Sequence, residues 1–179
     1  MNIKKLTDVR TVALVGVMAA TLECGKLVLS FLPNVEIVSI LTALYGYVFG
    51  AAGVVAAFIF VCIEPLIWGF GPWFITYLIY WPSLAVVFML LGRWEVKNKY
   101  ALTGIALGMT LSFGVLSSVI DSALYLGLNE YYFKNLPIYY IRGMNFYIAQ
   151  IVCNLVLFSA FFTPLSRRLR LIKSKLKPM

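Results

Sequence analysis

Long apolar runs, interrupted by short clusters of glycine, proline, aromatic and charged residues, set the pattern of this chain. A helix needs about 20 mainly apolar residues to cross about 30 Å of hydrocarbon, and the runs predict six such helices. The first covers Val9 to Leu32 and stops at Pro33-Asn34; the second covers Ile37 to Phe49 and closes at Gly50. The third, Ala51 to Ile67, runs into Trp68-Gly69-Phe70-Gly71-Pro72-Trp73. Phe74 to Leu91, Ala101 to Leu128 and Pro137 to Leu165 make the fourth, fifth and sixth, with a basic tail over about 166–179. The second is short and its junction with the third is tight. The expectation is one all-α integral membrane domain over 1–179, without a soluble domain, linker, low-complexity stretch or internal repeat.

An even number of helices puts both termini on one side, and the basic residues say which. Lys4, Lys5 and Arg10 precede helix one, Arg93, Lys97 and Lys99 lie between helices four and five, and Arg167, Arg168, Arg170, Lys173, Lys175 and Lys177 follow helix six. That is 12 of the 15 basic residues on one face, which the positive-inside rule makes cytoplasmic. The net charge of +8 therefore reads as topology and contact with anionic lipid rather than nucleic-acid binding. Lys4 and Lys5 before an apolar run resemble a signal peptide, but no small-x-small site follows, and Glu23 precedes Cys24; helix one is expected to be retained.

Composition agrees. The chain of 179 residues is 62% hydrophobic and 12% charged, with a mean hydropathy of +0.91, where a soluble domain has about 45–50% and about 25%. A water-soluble core of this size cannot bury the excess. With no histidine, histidine-based zinc sites, haem ligation and Ser-His or Cys-His catalysis are excluded. Cys24, Cys62 and Cys153 are far apart and read as buried small apolar residues. There is no Walker A motif, so no ATPase of the chain's own. No catalytic residue, cofactor or metal is expected.

The polar residues inside the apolar runs carry the remaining information, because each costs several kcal/mol unless it reaches water, a partner or a protein interior. Counting along the helices places Glu23, Lys26, Glu64 and Asp121 in their outer halves, with Arg142, Asn145 and Gln150 at similar depth on helix six. Such a zone suits a hydrated cavity entered from outside. Taken singly, Glu23 and Lys26 can neutralise each other, Glu64 before Pro65 can serve a kink, and Asp121 can pair with Arg142. Trp68, Phe70 and Trp73 in the Gly-Pro turn, followed by Tyr77, Tyr80 and Trp81, can anchor at the interface or cover a flat ligand. On helix one, Ala13, Gly16 and Ala20 form a small-residue stripe that lets another helix approach closely, within this chain or outside it.

These residues resemble the S components of energy-coupling factor (ECF) transporters, the vitamin-capturing subunits of group II ABC importers. The resemblance covers the whole chain. It rests on length, six helices with cytoplasmic ends, the Ala13/Gly16/Ala20 stripe, the stretch from Leu32-Pro33-Asn34-Val35-Glu36-Ile37-Val38 into Tyr45-Gly46-Tyr47-Val48-Phe49-Gly50, and the loop Trp68 to Trp73. It implies capture of a micronutrient at the outer face of the plasma membrane, then toppling on a shared transmembrane coupling subunit driven by two cytoplasmic ATPases. Ala13, Gly16 and Ala20 would be the docking face; the family's A-x-x-x-A reads Gly16-x-x-x-Ala20 here. Cobalamin is the first candidate ligand, with folate, riboflavin, pantothenate and a queuosine precursor open. Two other classes stay in view: a structural membrane protein of the MreD cell-shape type, and a small lipid enzyme using Glu64 or Asp121 as acid or base with Arg142.

Overall fold

A computed structural model describes residues 8–32 and 35–176. The expected features at Lys4, Lys5, Pro33, Asn34 and Lys177 lie outside these residues. The described residues form helices α1 (Val9–Leu29), α2 (Val38–Phe49), α3 (Ala51–Trp68), α4 (Trp73–Arg93), α5 (Lys99–Leu126), α6 (Tyr131–Leu157) and α7 (Thr163–Leu176), with a π-helical turn, Phe158–Phe162, joining the last two. Five helical stretches are long and apolar enough to cross a bilayer: α1, α3, α4, α5 and the 46-residue run Tyr131–Leu176. This is the construction of a multi-pass membrane protein, and large apolar side chains such as Val17, Phe58, Val115 and Val152 face outward along it.

Local chemistry explains where the elements depart from the expected bounds. Asn98 starts α5 two residues early, its side-chain oxygen accepting from the Tyr100 and Ala101 amides at 2.9 and 3.4 Å, an N-cap satisfying otherwise orphaned donors. Asn129 Oδ1 accepts from the Tyr131 amide at 2.9 Å, in the turn that leads into α6. Helix α6 therefore begins six residues before Pro137, which lies in its second turn. At the far end, α6 does not give way to a tail at 166. The chain stays helical to Leu176, and Arg167, Arg168, Arg170, Lys173 and Lys175 lie on α7.

Helix α2 differs most from a simple membrane span. Its 12 residues extend about 18 Å at 1.5 Å per residue, short of the bilayer core. Ten of the 12, Val38 to Ile40 and Thr42 to Val48, are buried. It packs chiefly on α4 and α3, with α7 and α1 alongside. Close approach depends on glycines. A Cβ at Gly46 would run into the Ala85 carbonyl of α4, and one at Gly92 into the Tyr47 carbonyl of α2. Gly50, at φ 66°, reverses the chain directly into α3. The core spreads outward from α2 through Phe60, Leu84 and Phe88 to Phe158 and Phe162, whose rings stack 5.4 Å apart.

The cysteine expectation is corrected. Cys24 and Cys62 lie on the outer surface of the bundle and Cys153 is half-buried, all three as free thiols. An apolar residue in a lipid-facing bundle can be satisfied outside as well as inside, so apolar neighbours in sequence do not distinguish the two.

Candidate ligand-binding chamber

The C-terminal ends of α1 and α3, the start of α4 and the segment leading into α2 meet at one end of the bundle. Arg93, Lys99, Arg170 and Lys173 lie at the other, with the α2–α3 turn. At the first end is a chamber of about 390 Å³ lined by Lys26, Leu29, Ser30, Leu32, Val35, Glu36, Val38, Trp68, Trp73, Tyr77, Trp81, Phe113 and Gln150. Its size falls within the range of about 300–1,000 Å³ usual for small-ligand sites.

One wall is aromatic. Trp73, Tyr77 and Trp81 follow at four-residue spacing on α4, which brings them onto one helix face. Their rings meet edge to face, at 5.1 Å for Trp73–Tyr77 and 5.7 Å for Tyr77–Trp81, an arrangement favoured by the ring quadrupoles. Phe113 of α5 closes the row against Tyr77 and Tyr80, at 6.2 and 4.9 Å. Trp68 enters from the last residue of α3. Gly69, at φ 77°, and Gly71-Pro72 then return the chain to Trp73.

The opposite side is charged. The Lys26 ammonium pairs with Oε2 of Glu64, whose side chain is completely buried. The same ammonium lies 5.7 Å from the ring centroids of both Trp68 and Trp73 and 4.9 Å from that of Tyr77. Glu23, nearly a full turn below on α1 and also buried, is within Coulombic reach of both Glu64 and Lys26. Glu36 accepts from the Ser39 amide at 2.7 Å and the Ser39 hydroxyl at 2.5 Å, which fixes a carboxylate at the positive end of α2. Asn154 Nδ2 supports it from α6 at 3.3 Å and also reaches Thr110 Oγ1 of α5 at 3.1 Å.

Several buried polar atoms here have no hydrogen-bond partner among the described residues: Trp81 Nε1, Gln150 Oε1, Glu64 Oε1 and both carboxyl oxygens of Glu23. Buried polar atoms are nearly always satisfied. Trp81 and Gln150 line the chamber, so two of these atoms belong to its wall residues.

The structure brings together Lys26, Trp68, Trp73 and Tyr77 around the chamber, with Glu64 bound to Lys26 and Glu23 beneath. It does not bring in the other expected site residues. Phe70 is 78% exposed and packs on Phe74 instead. Asp121 takes a hydrogen bond from Ser117 Oγ at 3.3 Å, with Arg142 exposed on α6 and Asn145 exposed beside it. Glu36, Trp81, Phe113 and Gln150 are additional wall residues. Glu36 and Gln150 carry a sequence signal, being polar and placed by counting toward the same end as Lys26 and Glu64; Phe113 carries none among 13 phenylalanines.

The small-residue stripe points away from the bundle. Ala13, Gly16 and Ala20 are all exposed, and among the described residues a Cβ at Gly16 would meet nothing within 4 Å. No protein-family model, curated protein or solved structure matches the chain.

Proposed function

We propose that this chain is the substrate-binding S component of an ECF-type importer, capturing a micronutrient at the outer face of the plasma membrane. The chamber carries this reading. It holds a row of aromatic rings, a Lys26–Glu64 charge pair and unpartnered polar atoms nearby, at the end of the bundle opposite Arg93, Lys99, Arg170 and Lys173. With the basic end cytoplasmic, the chamber opens outward. Helix α2, entered through a bend at Ile37, serves in this reading as a short sixth crossing, which returns both termini to the cytoplasm.

The second support is the outward-facing stripe of Ala13, Gly16 and Ala20. A lipid-exposed run of small residues has no packing role within the chain and suits close approach by the helix of a coupling subunit, with two ATPases providing the energy. Among candidate micronutrients, a compact one would be enclosed by a chamber of about 390 Å³. Cobalamin would stand out through its mouth.

The deciding experiment is purification in detergent from cells grown in rich medium, followed by denaturation and mass spectrometry of the released small molecules. A stoichiometric micronutrient is the expected result. An empty protein that also fails to co-purify with an ATPase-bearing membrane complex would remove the reading.

A further inference from the structure

Three aromatic rings around an ammonium form the arrangement by which proteins hold organic cations. Here the ammonium belongs to the protein. Lys26 occupies the cage of Trp68, Trp73 and Tyr77 while paired to Glu64. Carboxyl groups outnumber lysines here: Glu23, Glu36 and Glu64 face or adjoin the chamber beside Lys26 alone, and among the described residues three carboxyl oxygens of Glu23 and Glu64 are buried without a hydrogen-bond partner.

We infer that the chamber takes an organic cation, a quaternary or protonated amine or an azolium, whose charged group replaces the Lys26 ammonium in the Trp68–Trp73–Tyr77 cage. This deepens the reading of the chamber as a ligand site and rests on it. The physical basis is the pairing of Glu64. A neutral ligand that displaced Lys26 would strand a fully buried carboxylate, which is strongly destabilising, whereas a cation exchanges one counter-charge for another. Lys26 can leave because its side chain is 25% exposed, and its flexible stem lets the ammonium swing to the mouth. The electron-rich ring faces favour a weakly hydrated organic cation over a strongly hydrated ammonium.

The test compares choline with 3,3-dimethyl-1-butanol, its neutral isostere, using the fluorescence of Trp68, Trp73 and Trp81 in the purified protein. The expected result is saturable quenching by choline with an affinity at least about 10-fold above that of the isostere. In Lys26→Met, whose cage is vacated, choline should bind more tightly than in the wild type and raise the melting temperature; the isostere should do neither. Equal affinities for the two probes, or no saturable response to choline, would overturn the inference. If Lys26→Met does not fold, the wild-type comparison decides alone. Failure of the transport reading looks different. A neutral micronutrient released from the purified protein leaves that reading standing and removes this one. Choline selectivity in a protein that binds no ATPase complex does the reverse.

Discussion

Lys26 and Glu64 are 38 residues apart in the chain and directly paired in the fold, the lysine at the mouth of the chamber and the glutamate completely buried behind it. The pair ties α1 to α3 at the end where the ligand site forms. Removing the lysine alone leaves a buried charge. Lys26→Met is expected to destabilise the ligand-free protein by about 3–5 kcal/mol, with most of the loss recovered in Lys26→Met/Glu64→Met. Thermal unfolding in one detergent measures both, and equal stability of wild type and Lys26→Met would show that the pair contributes nothing.

The aromatic wall separates residues that line the chamber from a neighbour that does not. Trp73→Ala and Trp68→Ala should each weaken ligand binding by about 1–2 kcal/mol, roughly 5- to 30-fold. Phe70→Ala, at the exposed tip of the same loop, should leave affinity unchanged. Binding isotherms for the three variants check this, and a loss at Phe70 equal to that at Trp73 would point to the loop's shape instead of its individual rings.

Gly16→Leu and Ala20→Leu place bulk on an outward face where no other described residue lies within 4 Å of a Gly16 Cβ. Stability and ligand affinity should be unaltered, within about 0.5 kcal/mol, while uptake in cells is lost. Retained uptake in both variants would remove the docking role of the stripe.

Gly46 allows α2 to lie against the backbone of α4 at Ala85. Gly46→Ala must push the helices apart and should cost about 1–3 kcal/mol or more, as overpacking does. The matched change Gly108→Ala, where a Cβ would meet nothing, should be neutral or slightly stabilising because it removes a helical glycine. Paired melting curves test the contrast, and similar shifts for the two would contradict the close α2–α4 approach.

The apolar runs made most of this fold legible, because a membrane helix is written as one continuous stretch. The bounds of α3 and α4 lie within two residues of expectation for that reason. Helix α6 was harder. Pro137 signals a helix start, while the actual start depends on Asn129, two residues before Tyr131, whose cap resembles an ordinary loop asparagine in sequence. The chamber was legible where polar residues interrupt lipid-compatible segments, as at Lys26 and Glu64. Which partner each takes was not: spacing on one helix favours Glu23 with Lys26, and only the packing of α1 on α3 delivers Glu64. Asp121, Arg142 and Asn145 show the converse. Depth along a helix can be counted from the chain, but rotation about its axis is fixed by neighbours, and α6 turns Arg142 and Asn145 outward.

Helix α2 touches protein on nearly every side, and this gives it a dynamic character unlike that of the helices around it. Its amides cannot meet solvent through fraying toward lipid or through loosening of a single neighbour, since α3 and α4 enclose it together. Hydrogen exchange along Thr42 to Val48 therefore requires the whole bundle to open, and its rate is a clock for global unfolding in whatever detergent or bilayer holds the protein.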